Sequence, residues 1–173
     1  MRAEAKREYV EYVTGAMPSL RRLAYILCGD EHRADDLVQQ AITKLYVKWQ
    51  RIRDVEHLDQ YVRTMVVRGF VDERRRTWFR VGLTAEPPDA PDPRSAAAER
   101  VEEAVVLRAA LARVPRRQRA VLVLRFLCDL PVDEVAAMLD CSPGTVKSQT
   151  ARGLATLRRY VEEAEPAEMR RGR

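Results

Sequence analysis

The stretch from Pro131 to Arg159 constrains the fold of this chain more than any other. Its first part carries apolar residues at the spacing of one helical face, namely Val132, Val135, Ala136 and Leu139. Asp140 and Cys141 then interrupt the pattern. Ser142 is a favourable N-cap, and Pro143 suits the first helical position, where its missing N–H costs nothing. The spacing therefore predicts two helices joined by a tight turn.

The second of these helices has two chemically different faces. The inward face carries Val146, Thr150, Leu154, Leu157 and Val161. The outward face carries Lys147, Ser148, Ala151, Arg152 and Ala155. A helix that enters a DNA major groove needs such an outward face, because small residues allow close approach and donors reach base edges and phosphates. The pattern predicts a helix-turn-helix, and the alternative is a plain helical hairpin with a solvated basic face.

The composition favours an all-α protein. Of the 173 residues 46% are hydrophobic, but only 6% are aromatic and 7 are glycine. The formal net charge of +5 permits a polyanionic partner without requiring one. Two clusters of arginine lie outside the helix-turn-helix, Arg74, Arg75, Arg76 and Arg80 in one and Arg113, Arg116, Arg117 and Arg119 in the other.

The sequence indicates neither a metal site nor an enzymatic site. Cys28, Cys128 and Cys141 form no CxxC pair, and we expect them to be buried as small hydrophobic residues. Asp35 and Asp36 are adjacent on a predicted helix and point about 100° apart, so they do not converge on one substrate. We expect no metal, no cofactor and no catalytic residue. The charged N-terminal segment and the lack of a run of about 18 apolar residues predict a cytoplasmic protein without membrane insertion.

Periodicity predicts four helices in the first half of the chain. The first spans about residues 2–15, and the second begins near Pro18 and ends before Gly29. The third is capped by Asp30 and runs to about Trp49, and the fourth spans about residues 58–78. The third helix is expected to bury Ala34, Leu37, Val38, Ala41 and Leu45, and to expose Asp35, Asp36, Gln39, Gln40, Thr43 and Lys44.

Beyond Phe70 the fourth predicted helix changes to VDERRRTWFR, in which arginines precede Trp78 and Phe79. Interleaved cations and aromatic rings suit single-stranded nucleic acid, because rings stack on bases and arginines contact phosphates. A solvated helix end whose arginines interact favourably with the helix dipole explains the same composition. The residues alone leave both interpretations open.

A change of composition divides the chain. Residues 82–97 are rich in proline and acidic side chains and lack apolar periodicity, which is typical of a flexible extended linker. We predict one helical domain at 1–81, a second at 98–164 and a disordered tail at 165–173.

Two helices are predicted between the linker and the helix-turn-helix. One begins near Ala98, ends before Pro115 and is expected to bury Val101, Ala104, Leu107, Leu111 and Val114. The next, from Arg116 to Leu127, is expected to bury Ala120, Val121, Leu124 and Leu127, and to expose Arg117, Arg119 and Arg125.

These segments resemble a bacterial sigma factor of the extracytoplasmic-function (ECF) group of the sigma-70 family. The run VPRRQRAVLVLRFLCDLPVDEVAAMLDCSPGTVKSQTARGLATLR resembles sigma region 4. RADDLVQQAITKLYVKW and LDQYVRTMVVRGFVDERRR resemble sigma region 2. The arginine-rich end of the latter is similar to the actinobacterial SigE-like subgroup. The resemblance implies a sigma-2 helical bundle and a sigma-4 helix-turn-helix domain on a flexible linker.

The resemblance also implies partners and residue roles. The partners are promoter DNA and core RNA polymerase, through the clamp helices of its largest subunit and the flap of its second-largest, with an anti-sigma protein as a further candidate. Polymerase binding is implied for Asp35, Asp36, Leu37, Val38, Gln39, Gln40, Thr43 and Lys44. Recognition and melting of the −10 element are implied for Tyr61, Arg63, Arg68, Asp72, Arg74, Arg75, Arg76 and Trp78. Recognition of the −35 element is implied for Ser142, Thr145, Lys147, Ser148, Gln149, Ala151 and Arg152.

The chain departs from the family pattern at a few positions. Arg68 and Gly69 stand where many relatives have Asn, and the glycine predicts a local bend or a close approach of DNA. Gln149 and Ala151 stand where some relatives have Arg and a bulky residue. This difference bears on the choice of bases that the helix reads. Two alternatives remain: a stand-alone helix-turn-helix regulator similar to response-regulator output domains, and a helical adaptor that binds protein only.

Overall fold

The computed structural model describes residues 3–80 and 100–164, and the chain divides into two compact units, Met1–Gly82 and Leu83–Arg173. The elements within the described ranges are all helices, and no strand occurs there. The all-α prediction with two helical units is therefore confirmed. The predicted linker at 82–97 and the predicted tail at 165–173 lie outside the described residues.

The N-terminal unit is built from three helices, α1 (Ala3–Cys28), α2 (Glu31–Ile52) and α3 (Leu58–Arg80). Gly29 has a φ of 72°, a left-handed conformation that glycine adopts without strain, and it separates α1 from α2. Asp30 caps α2, since its Oδ1 accepts a hydrogen bond from the backbone N–H of Arg33 at 2.7 Å. Both residues act as the sequence predicts.

Pro18 does not separate two helices, so the prediction of a break before it was wrong. Helix α1 runs through the proline without interruption. Pro18 removes one intrahelical hydrogen bond, but it lies at an exposed position where water can hydrate the carbonyl left without a partner. Residues on both sides of it are buried in the same core, namely Ala5 and Val13 before the proline and Leu20, Leu23, Ala24 and Leu27 after it. Tertiary packing therefore outweighs the local helix-breaking tendency.

The core of this unit lies between the three helices. Its largest fully buried side chains are Leu27, Leu45, Val62, Val66, Val67 and Phe70. Near the start of α1, Tyr9 donates a hydrogen bond to the Ile42 carbonyl at 2.8 Å, and Tyr12 donates one to Asp59 Oδ1 at 2.8 Å. Burial, followed by the hydrogen bond to Asp59, raises the pKa of Tyr12. These contacts hold α1 against the other two helices.

The C-terminal unit contains α4 (Arg100–Arg113), α5 (Arg116–Leu122), α6 (Val132–Leu139) and α7 (Pro143–Ala164). A π-helical turn, Val123–Leu127, continues α5. The core of the described part of this unit comprises Ala110, Val114, Ala120, Val121, Leu122, Val123, Leu124, Val135, Ala136, Met138 and Val146.

The π-helical turn corrects the predicted orientation of Leu127. In this turn the Cys128 N–H donates to the Val123 carbonyl, five residues back, at 3.0 Å. The extra residue rotates the following side chains by about 100°, one residue's step around a helix. Leu127 was expected inside but is 50% exposed, and its neighbour Phe126 is 60% exposed.

In α4 the buried face also differs from the prediction. Ala104 is exposed and Leu107 is 50% exposed, although both were expected inside. Ala110, which was not on the expected stripe, is buried, whereas Val114, just after the end of α4, is buried as expected. Apolar spacing alone does not distinguish two neighbouring stripes on an alanine-rich helix.

Arg119 was expected to point into solvent, and this prediction was wrong. Its side chain is only 6% exposed. Nε and Nη2 donate hydrogen bonds to the Val114 carbonyl at 3.3 and 3.1 Å, and Nη2 also donates to the Ala112 carbonyl. The last carbonyls of a helix have no intrahelical partner, so the guanidinium satisfies acceptors at the end of α4. Arg119 therefore joins α4 to α5.

Candidate nucleic-acid interface

The turn between α6 and α7 has the geometry of a helix-turn-helix. Asp140 ends α6 in the left-handed conformation, with φ 50° and ψ 57°, which aspartate tolerates better than most residues. The Cys141 N–H donates to the Ala136 carbonyl at 3.0 Å. Ser142 Oγ then accepts the Thr145 N–H at 3.1 Å, and Pro143 is the first residue of α7. The break at 140–141 and the cap at Ser142 are where the sequence predicts them.

Helix α7 exposes most of the residues predicted to contact the −35 element. Ser142, Lys147, Ser148, Ala151 and Arg152 are exposed, whereas Thr145 and Gln149 are half-buried. On the opposite side Val146 is fully buried, and the remainder of the predicted inward stripe is half-buried. The outward face therefore combines two cations, hydroxyl groups and a small residue, the chemistry that base-edge and phosphate contacts require.

Gly153 of α7 was not among the predicted site residues, but it sets how closely α7 packs. It is buried, and a Cβ atom there would lie 3.1 Å from both Cγ and Cδ1 of Leu122 and 3.3 Å from Cβ of Gln118. The missing side chain lets α7 pack closely on α5 and so sets the position of the exposed face. A glycine inside an otherwise regular helical pattern was the available signal.

The predicted polymerase-binding residues of α2 divide into two groups. Asp35, Asp36, Gln39, Gln40, Thr43 and Lys44 are exposed. Leu37 and Val38 are only 5% and 2% exposed and pack into the bundle, so their side chains do not contribute to the outer surface and their assignment is corrected. Asp35 pairs with Arg21 of α1 at 2.9 Å, while Asp36, Gln40 and Thr43 follow one another at helical spacing on the outer side.

Val47 extends this outer face of α2. It lies four residues after Thr43 and seven after Gln40, and it is 80% exposed. It was not among the predicted site residues, although an apolar residue on the polar side of a predicted amphipathic helix was a recognisable exception. We call Asp36, Gln40, Thr43 and Val47 the outer α2 stripe.

The residues predicted for the −10 element do not all lie together on α3. Arg68 and Asp72 are exposed, and Tyr61, seven residues before Arg68, lies on the same side and is half-buried. Arg63 lies two residues after Tyr61, on a different side of the helix, and interacts electrostatically with Tyr12 of α1. The side chains of Arg74, Arg75, Arg76 and Trp78 lie outside the described residues.

Gly69 lies between Arg68 and Phe70 on α3, and it makes a close approach to α2. A Cβ atom at this position would lie 2.9 Å from Cδ1 of Leu37. Helix packing within the bundle therefore explains the glycine, for which a local bend or a close approach of DNA was predicted.

Other kinds of site are not indicated in the part of the chain that the structure describes. No group of three or more His, Cys, Asp or Glu side chains could hold a metal ion there. Among the described helices, none is long and apolar enough to cross a membrane. Cys28 is buried as expected, while Cys128 and Cys141 are half-buried.

The chain is thus a helical protein of two units, and the second unit carries a helix-turn-helix whose last helix, α7, is capped at its start and exposed on one face. The family described as Sigma-70, region 4 matches residues 104–157, and the family described as Sigma-70 region 2 matches residues 13–80. The RNA polymerase sigma-E factor of Streptomyces coelicolor is 34% identical over 154 residues, which cover 87% of this chain and 84% of the relative. The chain therefore belongs to the sigma-70 family of RNA polymerase sigma factors.

Further comparisons agree with this family. The ECF RNA polymerase sigma factor EcfG of Rhodopseudomonas palustris is 30% identical, over 88% of this chain and 86% of its own length. The solved structure of the sigma factor RpoE in complex with the anti-sigma factor NepR, from Bartonella quintana, has a TM-score of 0.66 and 19% identity. It covers 92% of this chain and 99% of that chain, and it shows the same fold. The resemblance to the ECF group is confirmed, and it is favoured over a stand-alone regulator.

Proposed function

We propose that this chain binds core RNA polymerase and directs it to a class of promoters, where it helps to separate the DNA strands. The observation that carries the proposal is that regions 2 and 4 of the sigma-70 family occur on one chain, one in each helical unit. Such a protein supplies specificity to the polymerase and is not itself an enzyme. By the precedent of the Bartonella complex, an anti-sigma protein is a further proposed partner.

In this proposal α7 reads the −35 element in the major groove. Lys147 and Arg152 are exposed and carry the cations for guanine edges or phosphates. Ala151 lies between them in the exposed face and lets the helix approach the bases closely. Phosphate neutralisation supplies most of the affinity and therefore makes it salt-dependent, whereas a few base-edge contacts supply the specificity.

Replacing Arg152 by alanine is expected to weaken discrimination at one position of the −35 element by about 1–3 kcal/mol, because a base-edge contact is lost. The measurement is initiation by the holoenzyme from a promoter library randomised across that element. Arg158→Ala is the matched control, since Arg158 is also exposed on α7 but six residues further on, on another side of the helix. An unaltered base preference in Arg152→Ala would contradict this assignment.

The outer α2 stripe is proposed to bind the clamp helices of the polymerase. It combines an exposed carboxylate, amide and hydroxyl with an exposed apolar side chain, and an apolar contact surrounded by polar groups is typical of specific protein interfaces. The −10 element is proposed to contact the side of α3 that carries Tyr61, Arg68 and Asp72, together with Arg74, Arg75, Arg76 and Trp78.

Reversing the charge of Asp36 is expected to weaken polymerase binding by about tenfold or more, since a like-charge contact at an interface costs several kcal/mol. The measurement is the affinity of Asp36→Lys for core polymerase, with DNA binding by the C-terminal unit expected to be unchanged. Glu11→Lys changes the net charge equally at an exposed position of α1 and is the control. Equal polymerase affinity for Asp36→Lys and the unaltered chain would refute this role of Asp36.

Run-off transcription tests the proposed function as a whole. Purified core polymerase is supplied with a random promoter library, with and without this chain, and the transcripts are sequenced. The proposal predicts initiation from a defined promoter class only when the chain is present. A stand-alone regulator would bind DNA but leave core polymerase without specific initiation, and an adaptor would do neither.

A further inference from the structure

Helices α2 and α3 meet at two contacts that lie in register. The first is the close approach of Gly69 to Leu37, where a Cβ atom would come within 2.9 Å of Leu37 Cδ1. The second is the ion pair between Arg33 Nη2 and Glu73 Oε2 at 3.1 Å. Arg33 precedes Leu37 by four residues and Glu73 follows Gly69 by four residues, so one helical turn separates the two contacts on each antiparallel helix.

Two such contacts fix different components of the helix position. The close approach at Gly69 limits the distance between the helices, because a Cβ atom there would require the end of the Leu37 side chain to shift, and Leu37 is only 5% exposed. The ion pair lies at the surface, with both side chains 38% exposed, and opposes sliding of α3 along α2. We call these two contacts together the α2–α3 register contact.

The residues beside the α2–α3 register contact are those proposed to bind other molecules. Asp36 is adjacent to Leu37 and begins the outer α2 stripe. Arg68 precedes Gly69, and Asp72 precedes Glu73, so these two exposed residues of α3, both proposed for the −10 element, lie next to the contact. Polymerase would bind α2. The position of Arg68 and Asp72 on the DNA would then depend on how α3 packs against α2.

We propose that Gly69 and the Arg33–Glu73 pair are positioning residues for strand opening. They touch neither polymerase nor DNA in this role, but they set the distance and register at which α3 presents Arg68 and Asp72 to the promoter. The inference rests on the proposed function, and it deepens that function by assigning residues that act through α3. A displacement of the α3 face by a fraction of a helical turn would move Arg68 and Asp72 away from the DNA groups that they contact.

The first experiment combines Gly69→Ala with relief of the collision. Full-length variants are assembled with core polymerase on a promoter selected in the run-off experiment, and opening is followed with a fluorescent base analogue in the −10 element. Gly69→Ala is expected to open the promoter about tenfold more slowly, with its polymerase affinity unchanged within about twofold. Adding Leu37→Val, which removes Cδ1, is expected to restore opening.

The control for the rescue is Leu45→Val, the same chemical change at a fully buried position of α2 that is not in contact with Gly69. It should not restore opening in the Gly69→Ala background. The proposal would be overturned if both leucine variants restored opening. It would also be overturned if Gly69→Ala and Leu37→Val each slowed opening and their effects added in the double variant, or if polymerase affinity fell in parallel with the rate of opening.

The ion pair provides a second, independent test, and it carries the decision if circular dichroism shows that Gly69→Ala does not fold. Arg33→Glu and Glu73→Arg should each slow opening about threefold, as expected for a partly exposed pair, and the double exchange should restore it. If the double variant Arg33→Glu Glu73→Arg does not restore opening, the positioning role of the α2–α3 register contact is refuted, while the proposed function is unaffected. Failure of the unaltered chain to initiate at all would instead refute the proposed function.

Discussion

Replacing Arg119 by methionine should lower the free energy of unfolding of the C-terminal unit by about 2–6 kcal/mol, because two carbonyl groups lose their donor and each buried unsatisfied acceptor costs about 1–3 kcal/mol. The side chain is 6% exposed, and its guanidinium donates to the carbonyls of Ala112 and Val114 at the end of α4. Methionine keeps most of the apolar volume, so the loss measures the hydrogen bonds rather than a cavity.

The unfolding of the two units can be followed separately in the full chain because tryptophan occurs in one unit only. Both tryptophans, Trp49 and Trp78, lie in the N-terminal unit, so their fluorescence in a denaturant titration reports that unit. Circular dichroism reports both units. Arg119→Met should produce an early loss of helix by circular dichroism while the tryptophan transition stays in place.

Two further variants separate the hydrogen bonds of Arg119 from its charge. Arg117→Met removes an exposed arginine two residues away and should change the free energy of unfolding by no more than about 0.5 kcal/mol. Arg119→Lys keeps the charge but cannot donate in the same forked geometry, so it should lie between Met and the unaltered chain. A loss in Arg117→Met as large as that in Arg119→Met would contradict the role of Arg119.

Arg119 also shows where sequence reasoning fails for this fold. Its cluster, Arg113, Arg116, Arg117 and Arg119, has the composition of a solvated basic surface. Only the folded chain reveals that α4 ends within reach of this one side chain. The continuity of α1 through Pro18 depends on the packing of both of its halves in one core, which local helix propensity does not reveal. The outward turn of Leu127 follows from the π-helical turn, which apolar spacing does not indicate.

Features governed by local rules were predicted well. Asp30 and Ser142 cap helices because a short polar side chain there satisfies a backbone N–H of the first turn, and this requirement is readable from neighbouring residues. The outward face of α7 follows from helical periodicity in the same way. The glycines at 69 and 153 mark close helix approaches whose partners, Leu37 and Leu122, the sequence does not identify.

Replacing Gly153 by valine should therefore destabilise the C-terminal unit by about 3 kcal/mol, the upper end of the usual cost of overpacking a core. Its Cβ atom alone would come within 3.1 Å of Leu122, and Leu122 is only 4% exposed and has little room to move. The two further methyl groups of valine must displace α7 from α5, so binding to −35 DNA should weaken as well.

Gly15→Val is the matched control, since Gly15 also lies inside a helix but nothing approaches its Cβ position within 4 Å. Valine is a somewhat better helix former than glycine, so this change should leave the N-terminal unit within about 0.5 kcal/mol of its original stability. The comparison is made by circular dichroism and tryptophan fluorescence on the full chains. If Gly153→Val proves as harmless as Gly15→Val, then α7 is not held by its close approach to α5, and the position of the exposed face of α7 must be set by the remaining contacts of α6 and α7.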